Sequence, residues 1–477
     1  MGEEDFVGLV NEMKATMKIQ LMTVVAVAVC AAAFGGVLDT AWIQGKTDKS
    51  PISYKPGEKM VFTLTPQRLE GAVPAGEYFL EWTRSGDDGV CESGKVPFDG
   101  SPFVYETSTA KAGFVRLQAY VVGKDGKRYL KKYTGDVTTP EGKAAMNRFE
   151  RTNRAVFFDG GAGVDIDTLK TEPEPQDFDA FWARQFARLD AVPVKAETVE
   201  LPCANAKARL FAVQVACAGL RPVTGYLSVP KAVDEGATFP ARLETHGYSG
   251  AMGAHLPPRG APDDVIVLNI NAHGMKLQAF GATEADMKAL RWEARSNGFS
   301  YAFDPQQNAD PEIAYFNGMV LRVKRALQYL KTVKGWNGKD LIARGGSQGG
   351  LQTIWAAACG EGVTRAESCV TWCCDLYTSG KLRKDPALKL SGDGWYIPWV
   401  DALGYYDAAN FAKRIPTSCR TVVTRAGLGD YCCPPTGLAK LWNNIPGNKE
   451  ILWVQGSQHG YVPPAAYEGR DFVREQK

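Results

Sequence analysis

Apolar and polar positions change rhythm once along this chain. Between about residues 41 and 170 they alternate in short runs: Met60-Val61-Phe62-Thr63-Leu64-Thr65, Tyr78-Phe79-Leu80-Glu81-Trp82-Thr83, Phe103-Val104-Tyr105 and Phe114 to Val122. Period two places one face of each run toward a core, so these segments are expected to be strands. Lys124-Asp125-Gly126-Lys127 reads as a tight hairpin turn. No long helical period is evident in this stretch, and the spacing suggests a small immunoglobulin-like sandwich. Gly160-Gly161-Ala162-Gly163 lacks a strand–helix frame and is expected to be a turn rather than a phosphate cradle.

After the stiff polar joint Thr171-Glu172-Pro173-Glu174-Pro175 the rhythm changes. Asp177 is placed to cap a helix whose Phe178, Phe181, Trp182, Phe186 and Leu189 share one face. Strands are predicted at Leu210–Val215, Gly225–Val229, Ala241–Thr245, Val265–Asn271, Leu341–Ala343, Thr421–Thr424 and Ile451–Val454, and a helix over Gly318–Lys334. Strands alternating with helices predict a mostly parallel α/β sheet with helices on both faces, filling residues 171–477.

Length and charge narrow the class. The chain has 477 residues and a net charge of +2, which speaks against a nucleic-acid partner held by bulk charge. Lys14 and Lys18 precede an apolar run, Ile19 to Ala33, that ends in small residues. Residues 1–36 are therefore expected to be a cleaved export signal, with Met13 or Met17 as alternative starts and an uncleaved anchor or a lipid on Cys30 as rivals. That predicts a secreted or periplasmic protein with no stable membrane partner beyond the signal. Ten cysteines remain after Cys30, an even number that fits disulfides without proving any. With only four histidines, no metal site is expected.

The chemistry gathers at Gly345-Gly346-Ser347-Gln348-Gly349-Gly350, between a short apolar strand and a helical run. G-x-S-x-G in that frame is a nucleophile elbow: glycines let strand and helix approach, and the turn lifts the serine hydroxyl clear of the sheet. A serine needs a base, and the base an orienting acid, in the chain order serine, acid, histidine. His459 is the one histidine after Ser347 and sits just past a strand end. Asp430 follows the preceding strand; Asp375, Asp393, Asp401 and Asp407 are its rivals, Asp407 reading better as a helix cap. The backbone N–H groups of Gln348 and of Tyr248, in His246-Gly247-Tyr248, are the expected oxyanion donors. His246 reads as structural, while His255 and His273 have no assigned role. Tyr248 and the loops around Trp395 and Trp399 are the expected cleft lining. The base is expected to titrate near the ordinary histidine value of about 6.5.

Taken together, the serine turn, the His246-Gly247-Tyr248 turn, Tyr405-Tyr406-Asp407-Ala408-Ala409-Asn410 with Arg414-Ile415, Gly429-Asp430 before Cys433-Pro434-Pro435, and the opening Asp177-Phe178-Asp179-Ala180-Phe181-Trp182 resemble the acetyl xylan esterase / cephalosporin C deacetylase family, carbohydrate esterase family seven. The likeness spans roughly residues 171 to 470. It implies an α/β-hydrolase that removes acetyl groups from xylo-oligosaccharides and small acetylated molecules without a cofactor, with Ser347, Asp430 and His459 as triad and Tyr248 and Gln348 as oxyanion donors. It also implies a homo-oligomer, since members often form ring-like hexamers. The chain departs from the pattern in its front β-module, in its cysteine-rich second half, and in Asn271-Ala272-His273-Gly274, where the family usually shows arginine-glycine-glutamine. A prolyl-oligopeptidase-like peptidase and a non-catalytic glycan-binding protein on the same fold are the alternatives.

Overall fold

The structure, a computed structural model, describes residues 36–171, 173–248, 260–465 and 467–477. The signal-peptide expectation (all but its last residue), Cys30 and His255 lie outside the described residues. Among the described residues no helix is long and apolar enough to cross a membrane.

The front of the chain forms β1 (Trp42–Thr47), β2 (Met60–Gln67), β3 (Tyr78–Gly86), β4 (Glu92–Pro97), β5 (Phe103–Thr107), β6 (Gly113–Gly123) and β7 (Phe157–Val164). They make two antiparallel sheets, ordered β1-β2-β5 and β4-β3-β6-β7. Alternate residues of both sheets, among them Ile43, Phe62, Leu64, Leu80, Leu117, Val121 and Phe158, close on one apolar core. Two expectations fail here. A helix, α1 (Pro140–Thr152), precedes β7, capped by the Thr139 hydroxyl and started by Pro140. It buries no residue fully, and its apolar stripe is short, Ala145, Met146 and Phe149 being only half-buried. The Gly160–Gly163 run is not a turn but the fully buried middle of β7. A Cβ on Gly161 would stand 2.5 Å from the Val115 carbonyl oxygen and 3.2 Å from that of Leu428. Glycine is needed there because two other backbones close on the strand.

The rest of the chain builds a ten-stranded sheet. Its six central strands are parallel: β11 (Phe239–Thr245), β12 (Ile266–Ile270), β13 (Trp336–Gly346), β14 (Arg365–Cys369), β15 (Arg420–Gly427) and β16 (Lys449–Val454). Antiparallel strands finish both edges: β8 (Ala196–Leu201), β9 (Ala208–Val215) and β10 (Val223–Pro230) on one side, β17 (Asp471–Gln476) on the other. The order across the sheet is β17-β16-β15-β14-β13-β11-β12-β10-β9-β8.

The remaining helices are α2 (Phe178–Asp190), α3 (Glu284–Glu293), α4 (Pro305–Asn308), α5 (Tyr315–Leu330), α6 (Gln348–Ala358), α7 (Ala408–Ala412) and α8 (Pro435–Asn444). α5 begins and ends about a turn earlier than its pattern suggests. The aromatic face of α2 is buried as expected, but the Asp177 side chain does not cap the helix; it accepts a hydrogen bond from the Tyr405 hydroxyl.

Candidate functional site

Four interior strands supply the expected residues from their carboxyl ends. Tyr248 follows β11, Ser347 follows β13, Asp430 follows β15 and His459 follows β16. The order along the sheet thus carries groups distant in sequence to a single rim.

Ser347 has φ 58 and ψ −120, a conformation that an L-residue occupies only under constraint. The constraint is visible. Its N–H donates to the Cys369 carbonyl at 2.8 Å, and its own carbonyl accepts from Trp372 N–H at 3.1 Å. The helix leaves the turn tight against β11: a Cβ on Gly349 would fall 2.5 Å from the Thr245 carbonyl oxygen. The Thr245 hydroxyl donates to the Gly349 carbonyl at 2.8 Å and fixes that approach.

His459 Nε2 stands 3.1 Å from Ser347 Oγ, and His459 Nδ1 stands 2.9 Å from Asp430 Oδ2. Asp430 is fully buried. Its other oxygen accepts the backbone N–H groups of Cys432 at 3.1 Å and Cys433 at 3.0 Å. The carboxylate is therefore held by its own turn and presents one lone-pair face to the imidazole, which fixes the tautomer with Nδ1–H toward Asp430. Burial pulls the His459 pKa down, but the hydrogen bond and the charge of Asp430 outweigh it, and the imidazole is raised to about 9. The expectation of an ordinary value is corrected on that ground.

The rival carboxylates are engaged elsewhere. Asp407 caps α7 and accepts the N–H groups of Asp375, Leu376 and Ala409; burial, then the charge of Asp375, raises it to about 7. Asp375 pairs with Lys440 at 2.5 Å, Asp393 accepts from Trp395 N–H, and Asp401 from the Trp399 indole.

Gln348 opens α6, where first-turn amides have no partner within the helix and the helix dipole is positive. A Cβ on Gly247 would lie 3.8 Å from Ser347 Cβ, so the Gly247-Tyr248 backbone runs beside the hydroxyl. The Tyr248 ring stacks on Tyr301 at 4.2 Å and meets Trp372 and Trp395 edge-on at 5.4 and 5.2 Å. The Tyr301 hydroxyl donates to the Gln348 side-chain oxygen at 2.8 Å, tying this aromatic wall to the helix start. Trp395 joins the wall, whereas Trp399 packs on Tyr377.

His246 and His273 form a neighbouring layer. His246 Nδ1–H donates to the Gly247 carbonyl, and its Nε2 accepts from Ala272 N–H at 3.1 Å. His273 Nδ1 lies 2.8 Å from the Tyr315 hydroxyl. The Asn271–Gly274 turn carries no arginine of its own; Arg322 of α5 reaches in and donates twice to the Ala272 carbonyl, at 2.7 and 3.0 Å.

Sequence reasoning missed one set of residues around the site. Asp159 of β7 takes a bidentate Arg116 pair at 2.8 and 2.6 Å and the Gln458 amide at 2.7 Å, directly before His459. Gln455 exchanges two hydrogen bonds with the Gly161 backbone. The Arg116 guanidinium lies over the Tyr431 ring at 4.2 Å, directly after Asp430. The available signal was Arg116, the one charged residue in a mostly apolar strand run.

Comparisons with known proteins agree on one family. Residues 165–386 match the model of the acetyl xylan esterase (AXE1) family, a segment that holds Tyr248 and Ser347 and ends before Asp430 and His459. The acetyl esterase Axe7A of Xylanibacter ruminicola is 26% identical over 439 residues, covering 89% of this chain and 88% of that protein. The chain is thus similar to acetyl xylan esterases over residues 165–386 and to an acetyl esterase over most of its length. It is a carboxylic ester hydrolase whose mostly parallel ten-stranded sheet is preceded by an all-β front. The solved structures similar to it include two acetyl xylan esterases. The acetyl xylan esterase from Paenibacillus sp. R4 has 22% identity and a TM-score of 0.48, covering 62% of this chain and 94% of that one. Acetyl xylan esterase 1 from Thermoanaerobacterium sp. JW/SL YS485 has 19% identity and a TM-score of 0.49, covering 63% and 94%.

Proposed function

We propose that this hydrolase removes O-acetyl groups from acetylated xylan, xylo-oligosaccharides and related small acetylated molecules, through an acyl-enzyme on Ser347. One observation carries the reading: the unbroken relay from the Ser347 hydroxyl through His459 to buried Asp430. His459 takes the hydroxyl proton as Oγ bonds to the acetyl carbonyl carbon. The tetrahedral oxyanion is held by the N–H groups of Gln348 and Tyr248. As the ester C–O bond breaks, His459 returns the proton to the departing sugar alcohol. Water, activated by the same imidazole, then releases acetate and frees the serine. Asp430 stabilises the imidazolium that forms in each half-reaction without itself taking the proton.

The aromatic wall suits sugar rings, which present apolar C–H faces; Trp395 is its exposed member. The basic and then apolar sequence of residues 1–36 supports export, where polymeric xylan is reached. The test is acetate release from acetylated xylan and from p-nitrophenyl acetate by the wild type and Ser347→Ala. The variant is expected to lose about 10⁴-fold or more in kcat; equal rates would overturn the reading.

A further inference from the structure

Cys432 and Cys433 follow Asp430 on the same turn, and their side chains lie on the His459 side of it. The two thiol sulfurs and a ring nitrogen of His459 all fall within 4.8 Å of one another. In a tetrahedral zinc site, Zn–S is about 2.3 Å and Zn–N about 2.0–2.1 Å, so ligand atoms sit roughly 3.3–3.8 Å apart. The trio therefore needs a closure of about an ångström, within the reach of cysteine and histidine side-chain rotation. The backbone is already fixed, since both cysteine amides are bonded to Asp430 Oδ1. Cys433 is buried and Cys432 only half-buried, so a route in from solvent passes over Cys432. Counting histidines made a metal look improbable from sequence; the adjacent thiols were the stronger signal.

We propose that Cys432, Cys433 and His459 form a binding site for a soft divalent cation such as Zn²⁺, and that filling it switches the esterase off. The inhibition does not depend on which ring nitrogen the ion takes. A neutral imidazole has one in-plane lone pair. An ion on Nε2 removes the acceptor from the Ser347 hydroxyl. An ion on Nδ1 forces the ring proton onto Nε2, which then donates and can no longer take the serine proton, and it displaces the Asp430 hydrogen bond. Starting from the neutral imidazole, binding replaces two thiol protons, released to water, by one doubly charged ion, so charge in the pocket is conserved; from the imidazolium a third proton leaves with them. The fourth position stays with water. The switch-off rests on His459 being the base; the binding does not.

The test uses the reduced full-length chain titrated with ZnCl₂, read in two ways. Bound zinc is measured against a chromophoric chelator, and hydrolysis of p-nitrophenyl acetate is followed in parallel. One zinc per chain is expected, with the rate falling in step with occupancy and returning when excess chelator is added. Cys432→Ser and Cys433→Ser are each expected to weaken zinc binding by about tenfold or more, and to shift the inhibition curve equally relative to their own zinc-free rates. Co²⁺ in place of zinc should show thiolate-to-metal charge-transfer absorption that either substitution reduces. Ser347→Ala should bind zinc as the wild type does, which separates this site from the nucleophile assignment. Zinc affinity unchanged in both cysteine variants, or a saturated chain that hydrolyses at the zinc-free rate or faster, would overturn the proposal.

Discussion

Two histidine layers stand on either side of the Ser347 turn, and they titrate in opposite directions. On the β16 side His459 is raised to about 9, because Asp430 more than offsets burial. On the β11–β12 side His273 is pushed down to about 3: burial leads, and the positive potential of His246, Arg322 and Arg221 adds to it. The hydrogen-bond partners of that layer are neutral: His246 bonds backbone and His273 bonds a tyrosine hydroxyl. Burial alone makes a histidine a permanently neutral packing group. A buried carboxylate behind it makes it a base. The protein places one layer of each kind within reach of the same serine turn, so an imidazole near the site is not enough to assign a role.

The largest effect should come from erasing the difference. Asp430→Asn keeps the shape of the acid turn but removes its charge. The amide can present an N–H where the carboxylate presented an acceptor, which favours the wrong His459 tautomer. A loss of about 10⁴-fold in kcat is expected, measured on p-nitrophenyl acetate, together with a fall in the apparent pKa of the base. A variant retaining more than a tenth of the wild-type rate would mean that another acid orients His459.

The same contrast sets the pH dependence. The working base is the neutral form, so kcat/KM should climb through the alkaline range with its midpoint near pH 9, rather than near 6.5. Stability runs the other way. His459 is protonated more readily folded than unfolded, so its contribution is fully present below about pH 6.5. It is lost as pH rises toward about 9. A thermal-melt series across that window should show wild type losing more stability than Asp430→Asn, and parallel curves would sink the assignment.

Much of this site is legible in the sequence because it is local. The serine turn carries its own strand, glycines and helix within a short stretch, and the acid and base each follow a strand in a fixed order. Asp407 reads as a cap for the same reason, its partners in α7 being adjacent in sequence. What escapes is long-range or silent. Asp159 and Arg116 meet across 43 residues and then touch Gln458 nearly 300 residues on. α1 has no buried face, and β7 disguises itself as a loop because close backbone contact demands glycine. The fold of the front module was readable; its contact with the catalytic rim was not.

That contact gives the next prediction, because among the described residues it is the His459 layer that leans on the front module. Asp159→Ala leaves the buried Arg116 guanidinium without its carboxylate and frees the Gln458 amide beside the base. Breaking a buried pair from one side costs about 3–5 kcal/mol, so a pronounced drop in unfolding midpoint is expected. Arg116→Met together with Asp159→Leu removes both charges and should recover part of that stability while leaving Gln458 unanchored. If the front module braces the base, kcat stays depressed in the double variant; full recovery of kcat would make the module a scaffold only.

The smallest effect belongs to the quiet layer. His273→Asn keeps a polar atom near the Tyr315 hydroxyl and removes the ring that packs on Tyr301 at 4.6 Å. The ring touches no reacting atom, so kcat should change by less than about tenfold, a barrier difference under about 1.4 kcal/mol. The apparent pKa of the rate profile should stay where His459 sets it, because the substitution neither adds nor removes a charge at neutral pH. Lost packing beneath Tyr301 should show instead as a modest drop in melting temperature and a raised KM, since Tyr301 backs the Tyr248 ring that lines the cleft. A shifted pH profile would mean that the two layers are coupled through the Ser347 turn, and that the neutrality of His273 is part of how the base is tuned.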